Sequence, residues 1–214
     1  MTSIATQRLL PKHWLTRLVR LPAMCRQKHF ARWAVRRFVH KYGVDLQHAQ
    51  RTQCEDYACV NDVFTRQLRP EARPIEGGDN TIVSPADGRL QAFNQYSQHI
   101  EAKGRSYRLP DLLAQQDDWV ETFRDAANVT VYLGPSDYHR VHMPLAGQLK
   151  RMCFVPGKLF SVNANTLHNA PDIHARNERI ICEFETSHGA MLMIMVGAML
   201  VGSIVTTWHG MVSP

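Results

Sequence analysis

The first 41 residues contain no aspartate or glutamate, yet they hold ten of the 25 lysines and arginines. An arm without acids cannot neutralise itself through pairs three or four residues apart on a helix. The rest carries 15 basic against 19 acidic side chains, a net of −4, so the overall +6 describes a basic arm on a mildly acidic body. The five cysteines form no CxxC pair, which argues against a structural zinc site or a disulfide framework and suits a reducing compartment. The most apolar run, Met191 to Val205, has 15 positions and two glycines. That falls short of the roughly 20 residues of a spanning helix, so two buried strands are expected. No apolar core followed by a small-residue cleavage site opens the chain, and no secretory signal is expected. There is no internal repeat, no low-complexity tract and no HExxH pattern.

What is present starts with amphipathy. Leu10, Trp14, Leu15, Leu18 and Leu21 share one side of a helical wheel, with Lys12, Arg17 and Arg20 opposite. Pro22 is expected to end or kink that helix. A second helix is expected over 29–41, with Phe30, Ala34 and Phe38 opposite Arg32 and Arg36 and with Trp33 off the stripe. Basic helices with an aromatic apolar face suit an anionic bilayer surface, but a helical pair packed on the body fits the composition equally. Nucleic acid is a third use of such charge, without any recognised binding motif to accompany it. Residues 42–80 read as a polar connecting segment, with a turn-rich linker at "RPEARPIEGGDN". From Thr81 strands are expected at "TIV", "RLQAF", "NVTVYLGP", "RIICEF" and within 191–205, with a short helix at "LPDLLAQQ".

The chemistry candidates are few. "SDYHRVHMP" holds His139 and His142 between Pro135 and Pro144. If the stretch is extended, residues three apart point to opposite faces, which disfavours a shared metal ion. A structural role is the default for either histidine alone. Asp87 lies in "SPADG", where Asp before Gly is a common turn pairing, and a turn-forming role is the local reading. Lys158, Arg176 and Arg179 could grip an anionic headgroup, although surface ion pairing is the commoner use of such residues. Ser203, inside an apolar strand candidate, reads as a buried serine beside a packing glycine.

"SPADG", "DYHRVHMP", "PGKLFSVN", "ARNER" and "VGAMLVGSI", in this order and at these intervals, resemble the bacterial phosphatidylserine decarboxylase proenzymes. The similarity runs from about Leu10, through "PKHWLTRL", to the last residue. It implies an α+β fold, with an amphipathic helical membrane-association segment over residues 1–41 and a mostly antiparallel β catalytic core over 81–214, incomplete at its C-terminus. It implies a lyase of phospholipid biosynthesis that converts phosphatidylserine to phosphatidylethanolamine and carbon dioxide through a Schiff base on a self-generated pyruvoyl group. Asp87 and His142 would belong to an Asp-His-Ser relay for self-cleavage, and His139 would lie near the protonation step. The implied partners are phosphatidylserine, an anionic membrane surface, a pyruvoyl-bearing α chain from the same proenzyme and further αβ units in a homo-oligomer, with no nucleic acid. The implied location is the cytoplasmic side of the inner membrane, as a peripheral protein.

The family's self-cleavage stretch, a Leu-Gly-Ser-Thr-like motif, is missing from these 214 residues, and "VGSI" matches a different family segment. The expectation is that the full-length protein is active and that this stretch alone is not. A catalytically inactive peripheral membrane protein that keeps the fold is the alternative.

Overall fold

A computed structural model describes residues 11–78, 80–94, 99–102, 105–162, 166 and 172–212. Residues 1–10, with Leu10 of the expected stripe, and Asn163 of the "PGKLFSVN" motif lie outside the described residues. The chain opens with α1 (Lys12–Met24), α2 (Lys28–Tyr42), a 3-10 turn at Cys54–Asp56, α3 (Val60–Phe64) and a second 3-10 turn at Pro70–Ala72. Next come β1 (Arg89–Asn94), β2 (His99–Ala102), β3 (Arg105–Arg108), α4 (Leu109–Leu112), α5 (Asp117–Phe123) and β4 (Asn128–Tyr132). The chain continues with β5 (Gly147–Val155), α6 (Ile173–Arg176), β6 (Arg179–Thr186), β7 (Gly189–Val196), β8 (Val205–Thr206) and β9 (Gly210–Met211). This is an α+β fold: helices first, then sheets whose registered strand pairs, β2–β3, β5–β6–β7 and β8–β9, are antiparallel. No described helix is long and apolar enough to cross a membrane.

The chain divides into two compact units, one of residues 1–18, 90–130 and 147–214, the other of 19–89 and 131–146. In the first, β6 is the central strand of β5–β6–β7 and is buried on both faces, which explains why "RIICEF" is nearly continuous in apolar residues. Ile181 packs with Leu109, Leu112, Leu113, Trp119 and Phe123, while Ile180, Cys182 and Phe184 meet Met152, Phe154, Met191, Met193 and Met195 on the opposite face. This is the two-residue alternation of a strand, and each buried large side chain contributes about 1.5–3 kcal/mol. Beside this sheet, the fully buried Asn177 acts as a clamp. Its Oδ1 accepts from Phe160 N at 2.9 Å, and its Nδ2 donates to the carbonyls of Phe160 and Gly197, each at 2.9 Å.

In the second unit, α2 starts at Gln27, whose side chain accepts from Phe30 N, and stops at Gly43 in the left-handed conformation (φ 64°). Its buried residues are Ala31 and Val35, and Val35 joins Val44, Leu46, Ala49, Tyr57 and Val63 in one cluster with Phe38 and Val39 alongside.

Several expectations change. Pro22 does not end α1 at Leu21; it sits in the last turn and the helix runs to Met24, because a proline there forfeits only the bond to Leu18. The buried face of α2 is Ala31–Val35–Phe38, displaced from the expected Phe30–Ala34–Phe38. Residues 42–80 are not a bare connector but supply five members of the α2 cluster, and the unit boundary falls within α1 rather than after residue 41. Their apolar residues arrive one per turn, without a period to reveal them. "TIV" forms no strand, since Val83 spends its N–H on Pro144. The 191–205 run yields β7 and then, past Gly197, only a bridge between Ala198 and Val201 before β8 begins. Ser203 is exposed rather than buried, and Gly202 is the residue that packs, against Glu178 and Leu159.

Asn177→Ala strands three backbone groups in the interior. It should lower unfolding free energy by about 3 kcal/mol or more, read from the urea midpoint at constant m. A loss under about 1 kcal/mol would show that the clamp is dispensable.

Candidate active site

All three expected site residues fall in the second unit, on two irregular segments that approach each other. Two backbone bonds join the segments: Val83 N donates to Pro144 O at 3.0 Å, and His142 N donates to Pro85 O at 2.8 Å. Ser84 Oγ donates to Ala86 O at 2.8 Å and tightens the "SPADG" bend. Gly88 lies so close to β4 that a Cβ there would meet Tyr132 O at 2.4 Å, which accounts for the glycine after Asp87.

The histidine segment is pinned along its length. Asp137 closes the turn at its start, with Gly134 N donating to Oδ2 at 2.6 Å. Arg66, which follows α3 and is buried, donates to the carbonyls of Ser136 (2.9 Å) and Asp137 (3.3 Å). Arg140 Nε donates to Thr65 O at 2.8 Å.

His139 and His142 then take different partners. The half-buried His139 ring lies on Phe64, centroids 3.8 Å apart, and its Nδ1 is 2.9 Å from Asp137 O. A carbonyl can only accept, so Nδ1 carries the proton and Nε2 is left as an acceptor. Burial holds the His139 pKa below the usual imidazole value, opposed by the Asp137 carbonyl, and the neutral ring is favoured. His142 is exposed. Its Nε2 lies 2.9 Å from the hydroxyl of the buried Tyr138, the rings stack at 5.5 Å, and Nδ1 has no hydrogen bond among the described residues. Burial pushes the Tyr138 phenol up, with Arg140 opposing and Asp87 adding to the rise, so the phenol keeps its proton.

Asp87 is brought beside this segment but is joined to neither histidine. Arg73 Nε sits 2.9 and 2.8 Å from its two oxygens, and Nη2 makes a third contact. No hydrogen bond links the Asp87 carboxylate to the His142 imidazole among the described residues. The structure therefore brings the expected residues together by backbone and gives each side chain a different partner. No group of three metal-ligating side chains is found among the described residues.

A family model described as phosphatidylserine decarboxylase matches residues 60–213, and a second, described as PSD, matches residues 2–43. The chain is 47% identical over 213 residues to the phosphatidylserine decarboxylase proenzyme of Sodalis glossinidius, covering 99% of this chain and 72% of that protein. It is 43% identical to proteins of the same name from Bordetella petrii and Pseudomonas aeruginosa, each with 99% and 74% coverage. The chain belongs to the phosphatidylserine decarboxylase family.

Within this family member, the residues that sequence reasoning passed over are Arg73, Tyr138 and Arg66. Tyr138 was adjacent to the histidines but carried no periodic signal linking it to His142. Arg73 stood in a stretch read as a linker, and nothing local ties it to a carboxylate beyond the next turn.

His139 also gives a pH test. Its folded-state pKa is lowered, so the unfolded chain binds the proton first; its contribution is complete above about pH 6.5 and is lost as pH falls below that. Between about pH 7.5 and 5.5, His139→Asn should lose less unfolding free energy than the native sequence, in paired urea titrations. Equal losses would show that His139 is not a buried neutral ring.

Proposed function

We propose that this chain forms most of a pyruvoyl-dependent phosphatidylserine decarboxylase that works at a membrane surface. The observation that carries the reading is the pair of backbone bonds between the "SPADG" bend and the "DYHRVHMP" segment, which holds a carboxylate and an exposed imidazole on adjoining strands of chain. Family membership supports the activity, since the relatives are named for it.

The residues fit a pyruvoyl-forming centre in kind. His142 offers a ring nitrogen without a hydrogen bond among the described residues, and Asp87 offers a carboxylate whose two oxygens retain lone pairs beyond those that Arg73 occupies. In self-cleavage, His142 takes a proton from a serine hydroxyl supplied by sequence outside these 214 residues, and Asp87 stabilises the resulting cation. Arg73 must yield or share Asp87 for that step. When present, the pyruvoyl group supplies a ketone for the substrate amine and an electron-accepting carbonyl as carbon dioxide departs. A proton delivered through His139 has to be carried at Nε2, the nitrogen that Asp137 leaves open.

The membrane part of the reading rests on α1. The expected stripe is solvent-facing, with Trp14 67%, Leu18 57% and Leu21 70% exposed, whereas Lys12 of the polar side is buried. A helix packed on the body by its apolar face would show the reverse. Trp33 of α2 is likewise exposed, and the arm's own sequence contains no acid.

In the full-length protein, His142→Ala and Asp87→Asn should each slow self-cleavage by at least about 100-fold, followed as chain separation on denaturing gels. Cleavage of His142→Ala at the native rate would remove His142 from the mechanism. Trp14→Ser with Leu21→Ser should lower co-sedimentation with phosphatidylcholine–phosphatidylglycerol vesicles several-fold without changing the unfolding midpoint. These point changes are preferable to deleting residues 1–41, because α2 carries part of a core. Undiminished sedimentation would move the contact surface elsewhere.

A further inference from the structure

An Asp-His-Ser relay leaves one contact of His142 unexplained, the one with Tyr138. Tyr138 is 7% exposed, and its hydroxyl lies 2.9 Å from Nε2 of His142 with the two rings stacked, 20° from parallel. The hydroxyl has no other partner among the described residues. The two residues stand four apart in a stretch without helix or strand, so no regular backbone brings them face to face. Pins along the stretch do so instead. Arg66 holds the carbonyls of Ser136 and Asp137, Arg140 holds to Thr65 O, and His142 N holds to Pro85 O.

Which atom donates follows from what each can accept. A neutral phenol has one hydrogen, and the lone pair of an imidazole nitrogen is a better acceptor than a phenol oxygen. Were Nε2–H the donor, the hydroxyl hydrogen of a buried tyrosine would have no acceptor among the described residues, and an unmade buried hydrogen bond is costly. Burial pushes the Tyr138 phenol up, Arg140 opposes and Asp87 adds to the rise, so the hydrogen is there to be donated. The phenol therefore donates to Nε2, and the proton of a neutral His142 resides on Nδ1. Nδ1 makes no hydrogen bond among the described residues, so its N–H is available.

A histidine that acts as a base between a carboxylate and a hydroxyl needs this tautomer, with N–H toward the carboxylate and the lone pair toward the hydroxyl. In such relays the carboxylate selects it. Here Asp87 is held by Arg73 and makes no hydrogen bond to the ring among the described residues. An exposed imidazole without that partner would be free to turn and to exchange tautomers. We infer that Tyr138 is a positioning residue of the self-cleavage site, whose hydroxyl holds His142 as the Nδ1–H tautomer with the Nε2 lone pair set toward a hydroxyl. The serine hydroxyl of the proposed relay takes the place on Nε2 that the phenol marks, and Nδ1–H is left for Asp87. The link to self-cleavage rests on the proposed function; the tautomer does not.

The test reads the ring nitrogens of the full-length protein, isotopically labelled in its histidines, by nitrogen NMR in mildly alkaline buffer. Asp87→Asn removes the carboxylate, so that Tyr138 alone selects the tautomer in that background. The His142 signals are identified by their loss when His142→Ala is added. In Asp87→Asn, Nδ1 should resonate as a protonated nitrogen and Nε2 as an unprotonated one. Adding Tyr138→Phe, which keeps the stacked ring, should move the proton wholly or partly to Nε2. His139, tied to the Asp137 carbonyl, should keep its own tautomer in both variants. Nε2 protonated while Tyr138 is present, an unchanged pattern in Tyr138→Phe, or a parallel change at His139 overturns the inference. With Asp87 intact, Tyr138→Phe should slow self-cleavage about fivefold, the effect of one hydrogen bond. A native or faster rate overturns the positioning role. Cleavage of His142→Ala at the native rate would instead sink the proposed role of His142 and leave the tautomer standing.

Discussion

The second unit depends on a constraint of backbone chemistry. Neither the "SPADG" bend nor the "DYHRVHMP" segment has a strand or helix to satisfy its peptide groups, and proline removes donors from both. The carbonyls of Pro85 and Pro144 remain, and each accepts from the opposite segment, at His142 and Val83. Those two bonds hold the main chain of Asp87 and His142 together whatever their side chains do. The Asp87 carboxylate on Arg73 and the His142 imidazole near Tyr138 thus lie on segments that are joined independently of those side-chain contacts. Peptide groups that no helix or ladder serves must find partners, and here that requirement joins the two segments of the candidate site.

The same segment also shows how one motif delivers two histidines to different surroundings. His139 is pressed on Phe64 and tied by its own segment's carbonyl, which fixes its tautomer and disfavours its charge. His142, three residues later, is exposed and held only through one nitrogen. Arg66 and Arg140 pin the segment that carries both rings.

Legibility followed periodicity. β6 was readable because a strand buried on both faces is apolar at nearly every position, and β1, β4 and α4 were bounded by turn residues. β5 was missed: "GQLKRMCFV" mixes Lys150 and Arg151 with apolar residues, and Arg151 makes sense only once it lies 3.9 Å over Trp119 and beside Glu183. The α2 cluster was missed because its members come from separate turns. At the site, the three residues suggested by resemblance were found on adjoining segments, while Arg73 and Tyr138 were not legible, since a partner across a fold leaves no mark in local spacing.

The acid-free arm now has a physical sorting. Its cations can be neutralised only by acids from later in the chain, and where such an acid meets them it pairs, as Glu55 does with Arg36. Lys12 is buried, and the long-range partners it meets include two more cations and an aromatic ring. Glu178 brings a carboxylate of the body to 3.7 Å from His13 of the arm, a second meeting of an arm side chain with an acid from later in the chain.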